Sequence, residues 1–373
     1  MRTRLALIIP TMDLGGAEKQ LCLLARNLPK EAFEVHVFLL TRDGPRSEEL
    51  RKAGIPVTVI GKRFKFDFTA LFRLRRELAK FKPDIVHTWL FAANSFGRVA
   101  AWMAGVPRII ASERCVDPWK TPLHFWIDRQ LAKVTEKITT NSEGVKSFYS
   151  SHGIRSSQFE IIPNGIESPA FDAISRAEAF ERLQVNTDRK LVIAVGRLWP
   201  QKRYRDLIWS TELLVTLRED FTLVIIGDGP QRSELMRFRD SVTTVDRVRF
   251  AGNRDDILSL LPHADQFWIG SEYEGQSNSL IEAMQAGVPV VASDIPGNRD
   301  LIVEHKTGRI YPVGDTASLA RRAQWIFENP ADAKTLGKAA KELIEIQFTV
   351  SQMVDKHVEL YCGRNPNAGS TDR

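Results

Sequence analysis

Along this chain short apolar runs bounded by turn residues alternate with amphipathic stretches, and the alternation runs twice. The first series is LALIIP (5–10), FEVHVFLL (33–40), PVTVI (56–60), DIVHTW (84–89), RIIASE (108–113) and KITTNS (137–142). Between these runs lie stretches of helical period such as AEKQLCLLARNL (17–28) and LFRLRRELAKF (71–81). Near-continuous apolar strands alternating with amphipathic helices require a parallel sheet covered on both faces. Around 163–190 the sequence becomes turn-rich and then charged, reading as a linker and one helix. The alternation then restarts with KLVIAVG (190–196), FTLVIIG (221–227), VRFAG (248–252), QFWIGS (266–271) and VPVVAS (288–293). The expectation is two Rossmann-like, doubly wound domains, 1–168 and 169–347, facing each other across a crevice where a ligand binds. The helical pattern at 348–364 is expected to pack back on the first domain. The polar 365–373 reads as a disordered tail.

A chain of 373 residues suits two cores better than one. The net charge of +6 is unevenly spread. Residues 1–170 hold 26 Lys and Arg against 17 Asp and Glu, a net +9, and the rest carries −3. A basic first half suits an anionic partner, and equally a solvated surface with a chance imbalance. Cys22, Cys115 and Cys362 show no pairing pattern, which points to a reduced, cytoplasmic setting. No apolar run approaches the ~20 residues that span a bilayer. The opening MRTRLALIIP reads as a first strand rather than a signal peptide.

Several loops carry chemistry. TMDLGGAEKQL (11–21) follows a strand and opens a helix, where Gly15 and Gly16 permit close backbone approach. It is not GxGxxG, which weakens a dinucleotide-binding reading. VGRLWPQKR (195–203) puts Arg197 and Lys202 at the end of a strand, a setting that suits a phosphate. IGDGPQRSEL (226–235) repeats the strand–turn–helix arrangement. EYEGQSNSLIEAMQAGVP (272–289) sets Glu274 before a short helix and Glu282 inside it, with Gly287 and Pro289 as its stop. Ser279 and Glu282 also spell a capping box, which would leave Glu282 a purely structural role.

Together VGRL with its following lysine, IGDGP, EGQSNSLIEAMQAGVPVVAS and IIPNGI (161–166) resemble the retaining glycosyltransferases of family 4, which have the GT-B fold. The resemblance runs from about 5 to 361. It implies sugar transfer from a nucleotide-sugar, UDP- or GDP-linked, to an acceptor hydroxyl, with no further cofactor and no metal. There is no D-x-D motif in the chain. By the same resemblance Arg197 and Lys202 would hold the donor diphosphate, and Glu282 the ribose. Glu274 would contact the transferred sugar, making Glu274, Arg197 and Lys202 the catalytic set. The backbone of 275–280, including Gly275, Ser277, Asn278, Ser279 and Leu280, would meet sugar and diphosphate. Gly15 and Gly16 would close on the donor. Fixed cations and a helix N-terminus stabilise the charge that develops as a nucleoside diphosphate departs.

The sequence departs from the family at Arg114, which stands where many members have a histidine. It would face a phosphate or an acidic acceptor, or be a surface or salt-bridged arginine. His87 would bind acceptor or be a hydrogen-bonded core histidine. VDPWKTPLHFW (116–126), with Lys62, Arg63, Lys65, Arg73, Arg75 and Arg76, would lean on an anionic membrane holding a lipid-linked acceptor. Core packing of Trp119 and Trp126 is the competing account. By family habit the setting is surface polysaccharide or glycolipid synthesis, cytoplasmic or peripheral on the inner membrane face. A nucleotide-sugar epimerase and a non-catalytic sugar-nucleotide-binding protein are the rival readings. No nucleic-acid motif organises the basic residues.

Overall fold

The apolar runs become strands because both of their faces are covered. The computed structural model describes residues 2–167 and 174–363. Its contacts divide the chain into two units: 2–165 with 349–363, and 166–348. The expected 168/169 boundary and the 365–373 tail lie outside the described residues.

The first unit is a seven-stranded parallel sheet of order β3-β2-β1-β4-β5-β6-β7. The strands are β1 (Thr3–Ile9), β2 (Phe33–Leu39), β3 (Val57–Val59), β4 (Ile85–Trp89), β5 (Arg108–Glu113), β6 (Lys137–Thr140) and β7 (Phe159–Ile161). The period-two alternation of β1 splits between two cores. Leu5, Leu7 and Ile9 pack with Leu21 and Leu24 of helix Gly16–Asn27 and Met353, Val354 and Tyr361 of helix Val350–Cys362. Ala6 and Ile8 face Leu74 and Leu78 of helix Phe68–Phe81 and Ala93 and Ala100 of helix Leu90–Met103. Burying each such Leu or Ile contributes about 1.5–3 kcal/mol. The C-terminal helix is thus part of this unit's core. A capping box, Thr349 with Gln352, starts it.

The second unit is a six-stranded parallel sheet of order β10-β9-β8-β11-β12-β13. It comprises β8 (Lys190–Val195), β9 (Phe221–Ile226), β10 (Val248–Gly252), β11 (Gln266–Ile269), β12 (Val290–Ser293) and β13 (Arg309–Tyr311). Leu191, Ile193, Phe267 and Ile269 fill one core, and Val192, Ala194 and Trp268 the other. In both units the order reverses beside the first strand, between β1 and β4 and between β8 and β11. Open α/β sheets bind ligands at such a reversal, outside the C-terminal strand ends.

Candidate functional site

In the second unit the loops after β8, β9, β11 and β12 converge at the reversal. Those after β8 and β11 are tied by Glu272 N–H to the Gln201 carbonyl (2.8 Å) and by Gln201 Nε2 to the Tyr273 carbonyl (2.6 Å). The Leu198 N–H donates to the Asp228 carbonyl (3.0 Å) and the Gln231 N–H to the Leu198 carbonyl (3.1 Å), joining the loops after β8 and β9. Any side chain at Gly227 would collide with the Gly196 carbonyl. Likewise a Cβ at Gly297, in the turn after β12, would run into the Gly275 carbonyl. These contacts fix where the polar groups point before any ligand arrives, as electrostatic preorganisation requires.

The structure brings two of the expected residues of this unit into contact. The Lys202 ammonium is bonded to the Glu274 carboxylate, which also accepts from Ser271 Oγ at 2.8 Å. Both side chains are largely covered. Arg197 reaches into solvent with its guanidinium 4.9 Å from the centre of the Trp199 ring. Helix Asn278–Gln285 begins immediately after the Glu274 loop, with Ser277 at its N-cap. The Ser277 side chain makes no capping bond, and the positive end of the helix dipole at this start favours an anion. Ser279 is not the cap: it lies inside the helix, and its hydroxyl donates to the Val195 carbonyl at 3.1 Å. The capping-box reading of Ser279 and Glu282 is therefore overturned. Glu282, half-buried, is one turn along the same helix. Gly287, with φ of +76°, ends it.

Sequence reasoning missed Gln201, Ser271, Ser293 and Gly297. Ser293 Oγ donates to the Ser271 carbonyl (2.6 Å), and Asn298 Nδ2 to the Ser293 carbonyl (2.8 Å), bracing the Glu274 loop from β12. The PG pair in DIPGNRD was the available signal for Gly297.

In the first unit Gly15 is the N-cap residue of helix Gly16–Asn27, and the Glu18 carboxylate lies over it. His87 does not end its strand. It is the middle residue of β4 and wholly buried, with Nδ1 2.7 Å from the Tyr361 hydroxyl and Nε2 3.4 Å from Thr139 Oγ1. Burial holds its pKa well below the usual histidine value, with His357 and Arg114 adding to the effect. His87 is a core histidine, and the acceptor-side role expected for it falls with that burial.

Arg114 is neither at the surface nor salt-bridged. It follows β5, is 7% exposed, and stacks over Trp89 at 4.9 Å. Nη2 donates to Asn164 Oδ1, whereas Nη1 is buried without a hydrogen-bond partner. Trp89 Nε1 and His357 Nε2 are likewise buried and unpartnered. Burial alone lowers the Arg114 pKa to about 9. A guanidinium so enclosed and without a carboxylate is a strong attractor for an oxyanion.

Among the described residues no group of three or more His, Cys, Asp or Glu side chains is placed to hold a metal, and no helix is long and apolar enough to cross a membrane.

Comparison with known proteins adds an independent line. Residues 14–168 match the family model Glycosyltransferase Family 4, and residues 175–343 match Glycosyl transferases group 1. The chain is 26% identical over 350 residues to the UDP-Gal:alpha-D-GlcNAc-diphosphoundecaprenol alpha-1,3-galactosyltransferase of Escherichia coli, covering 90% of each protein. It is 24% identical over 348 residues to the lipopolysaccharide core biosynthesis glycosyltransferase LpsD of Rhizobium meliloti, covering 93% of this chain and 95% of that one. Among solved structures, Anabaena Alr3699/HepE in complex with UDP-glucose has the same fold, with a TM-score of 0.86 at 21% identity. That match covers 97% of this chain and 100% of the other.

Proposed function

Because this chain belongs to the glycosyltransferases, with a family 4 first half and a group 1 second half, we propose that it moves a hexose from a UDP-sugar to a hydroxyl of a lipid-linked saccharide, with retention at the anomeric carbon. The observation that carries the reading is the second unit's loop cluster: Lys202 on Glu274, with helix Asn278–Gln285 starting directly after the Glu274 loop, and Arg197 on the same loop as Lys202. These groups suit a sugar diphosphate. The cations and helix amides take the diphosphate charge, Glu274 accepts sugar hydroxyls, and Glu282 accepts the ribose hydroxyls. Lys202 exchanges part of its bond to Glu274 for a phosphate oxygen when donor binds.

In the reaction the bond from the anomeric carbon to the diphosphate oxygen breaks, and the bond to the acceptor oxygen forms on the same face. The acceptor proton passes to the departing diphosphate. Protein cations supply the charge stabilisation in this scheme, so it runs without metal. The uncompensated Arg114 guanidinium serves an anionic group of the acceptor. Acceptor use brings the enzyme to the inner membrane face as a peripheral protein.

The test is a transfer assay with UDP- and GDP-linked hexoses and a diphosphate-lipid monosaccharide acceptor, with and without EDTA, the product's anomeric configuration read by NMR. The reading expects one UDP-sugar to give an α-linked product from an α-linked donor, at a rate insensitive to EDTA. An inverted product or loss of activity in EDTA would remove the corresponding part. Absence of transfer from every donor would remove the whole.

A further inference from the structure

Four phenylalanines within nine residues of the first unit stand in solvent: Phe64 (61% exposed), Phe66 (67%), Phe68 (65%) and Phe72 (57%). Soluble surfaces avoid such clusters, and a contiguous apolar patch marks an interaction site. This one hangs on a firmly built loop. The segment 60–67 leaves the C-terminal end of β3, the edge strand, and enters helix Phe68–Phe81. The Lys62 N–H donates to the Leu40 carbonyl (2.8 Å), and Arg73 donates to the Ile60 and Gly61 carbonyls (both 2.9 Å). Asp67 is buried and accepts from the amides of Arg63 and Ala70, both at 3.0 Å. The phenylalanines are therefore outside because the loop's own bonds hold them there.

The charge around them is predominantly positive. Residues 60–77 contain Lys62, Arg63, Lys65, Arg73, Arg75 and Arg76, against two acids: Asp67, which is spent in the helix cap, and Glu77, which lies 3.5 Å from Arg76 and 2.8 Å from Lys80. Arg63, Lys65, Arg75 and Arg76 are exposed. The patch continues across helix Leu90–Met103. Lys62 Nζ lies 4.8 Å from the Phe96 ring centre, and further along Phe91 meets Trp119 edge-on at 5.1 Å. Trp119 and Trp126 are half in solvent, so core packing does not account for them. The loop carrying Trp119 follows β5, and like 60–67 it leaves the C-terminal edge of the sheet.

We propose that Phe64, Phe66, Phe68 and Phe72, ringed by Arg63, Lys65, Arg75 and Arg76, form a wedge that docks the first unit on an anionic lipid surface. Aromatic rings enter the headgroup boundary while the cations hold the negative headgroups, and neither anchor suffices alone. Charge complementarity selects a lipid surface over an apolar protein groove, since a groove would leave Arg63, Lys65 and Arg75 unmatched, Arg76 alone of the four having a carboxylate, Glu77, at 3.5 Å. The wedge lies at the ligand-binding end of the sheet, so docking brings that end towards the lipid. The inference deepens the proposed lipid-linked acceptor and rests on that reading for its purpose.

The test is flotation of the full chain with vesicles of phosphatidylcholine alone or with added phosphatidylglycerol. It compares wild type, Phe64→Ser with Phe66→Ser, and Arg63→Glu with Lys65→Glu. Wild type should float only with the anionic vesicles, and less as salt is raised. Each double variant should bind about tenfold more weakly or worse, with unchanged melting temperature and unchanged nucleotide-induced stabilisation. Transfer to a detergent-dispersed acceptor should also be unchanged. Wild type that does not float, or variants that float like wild type, would overturn the proposal. So would a wild-type dimer that the Phe64→Ser, Phe66→Ser variant dissolves, because the surface would then belong to a second copy. Flotation with the expected variant losses, but no nucleotide binding, would support the wedge and sink the functional reading instead.

Discussion

Strand for strand, β1–β6 repeat as β8–β13, with the same reversal beside the first strand. The interiors differ. In the second unit the buried arginines, Arg239 and Arg309, each pair with a carboxylate, and the proposed site's charges stand in the loops above an apolar core. The first unit carries charge inside. Arg98 and Lys120 converge on Asp128 at 3.1 and 2.9 Å, and Glu113 lies 3.8 Å from Lys120. His87 and His357 are wholly buried, and Arg114 is enclosed without a counterion. One topology thus supports two designs. One keeps its polar groups on short loops that a motif can spell out. The other assembles them from β4, β5 and the C-terminal helix, far apart in the sequence.

The largest effect that would sharpen this contrast is on catalysis. Lys202→Ala removes the cation from the proposed diphosphate site and should lower kcat/KM by about 10²–10³, or about 2.7–4 kcal/mol. Its unfolding free energy should move by less than about 1 kcal/mol, since the pair with Glu274 is not fully desolvated. Steady-state rates and urea unfolding check both. A large stability loss with intact turnover would make the pair structural and erase the contrast.

Arg114→Met should act the opposite way. Removing an enclosed, unpaired charge should raise stability by roughly 1–3 kcal/mol while transfer falls. Urea midpoints and acceptor KM give the two readouts. Loss of stability would show that the guanidinium is satisfied in the native protein.

The smallest effect is on pH. The His357 pKa is lowered to about 3 by burial, while the unfolded chain titrates near 6.5. Below 6.5 the unfolded state binds the proton that the native state refuses, so stability falls as pH drops from about 6.5 towards 3. His87 acts in the same direction. Glu113 opposes them: burial raises its pKa to about 7, against the pull of Lys120, so between 4.5 and 7 it favours the native state as pH falls. His357→Gln should flatten the wild-type slope by up to about 1.4 kcal/mol per pH unit. Urea unfolding at pH 7.5 and pH 5.5 measures it, and an unchanged slope would mean that His357 is protonated in place.

What was legible in the sequence follows the same division. The strands that emerged within a residue or two, such as 108–113 and 221–226, are those whose length and two-sided burial leave a nearly continuous apolar run. The edge strands β7 (FEI) and β13 (RIY) were not legible, because three residues with a charged member carry no period. The meeting of the Lys202 and Glu274 loops ahead of helix Asn278–Gln285 was within reach of the sequence because it involves two short segments. The burial of His87 could not, since Tyr361 and Thr139 come from a helix 274 residues away and a strand 52 away. The four exposed phenylalanines were invisible for the converse reason: nothing in FKFDFTALF says which faces lack cover.

The central claim is that the loops after β8 and β11 hold a nucleoside diphosphate. Calorimetric titration of UDP into wild type, Lys202→Ala and Glu282→Gln tests it directly. The account predicts saturable one-to-one binding to wild type. It predicts loss of about 2 kcal/mol or more in Lys202→Ala, where a charged hydrogen bond is removed, and a smaller loss in Glu282→Gln. Binding of equal strength to all three proteins would contradict it.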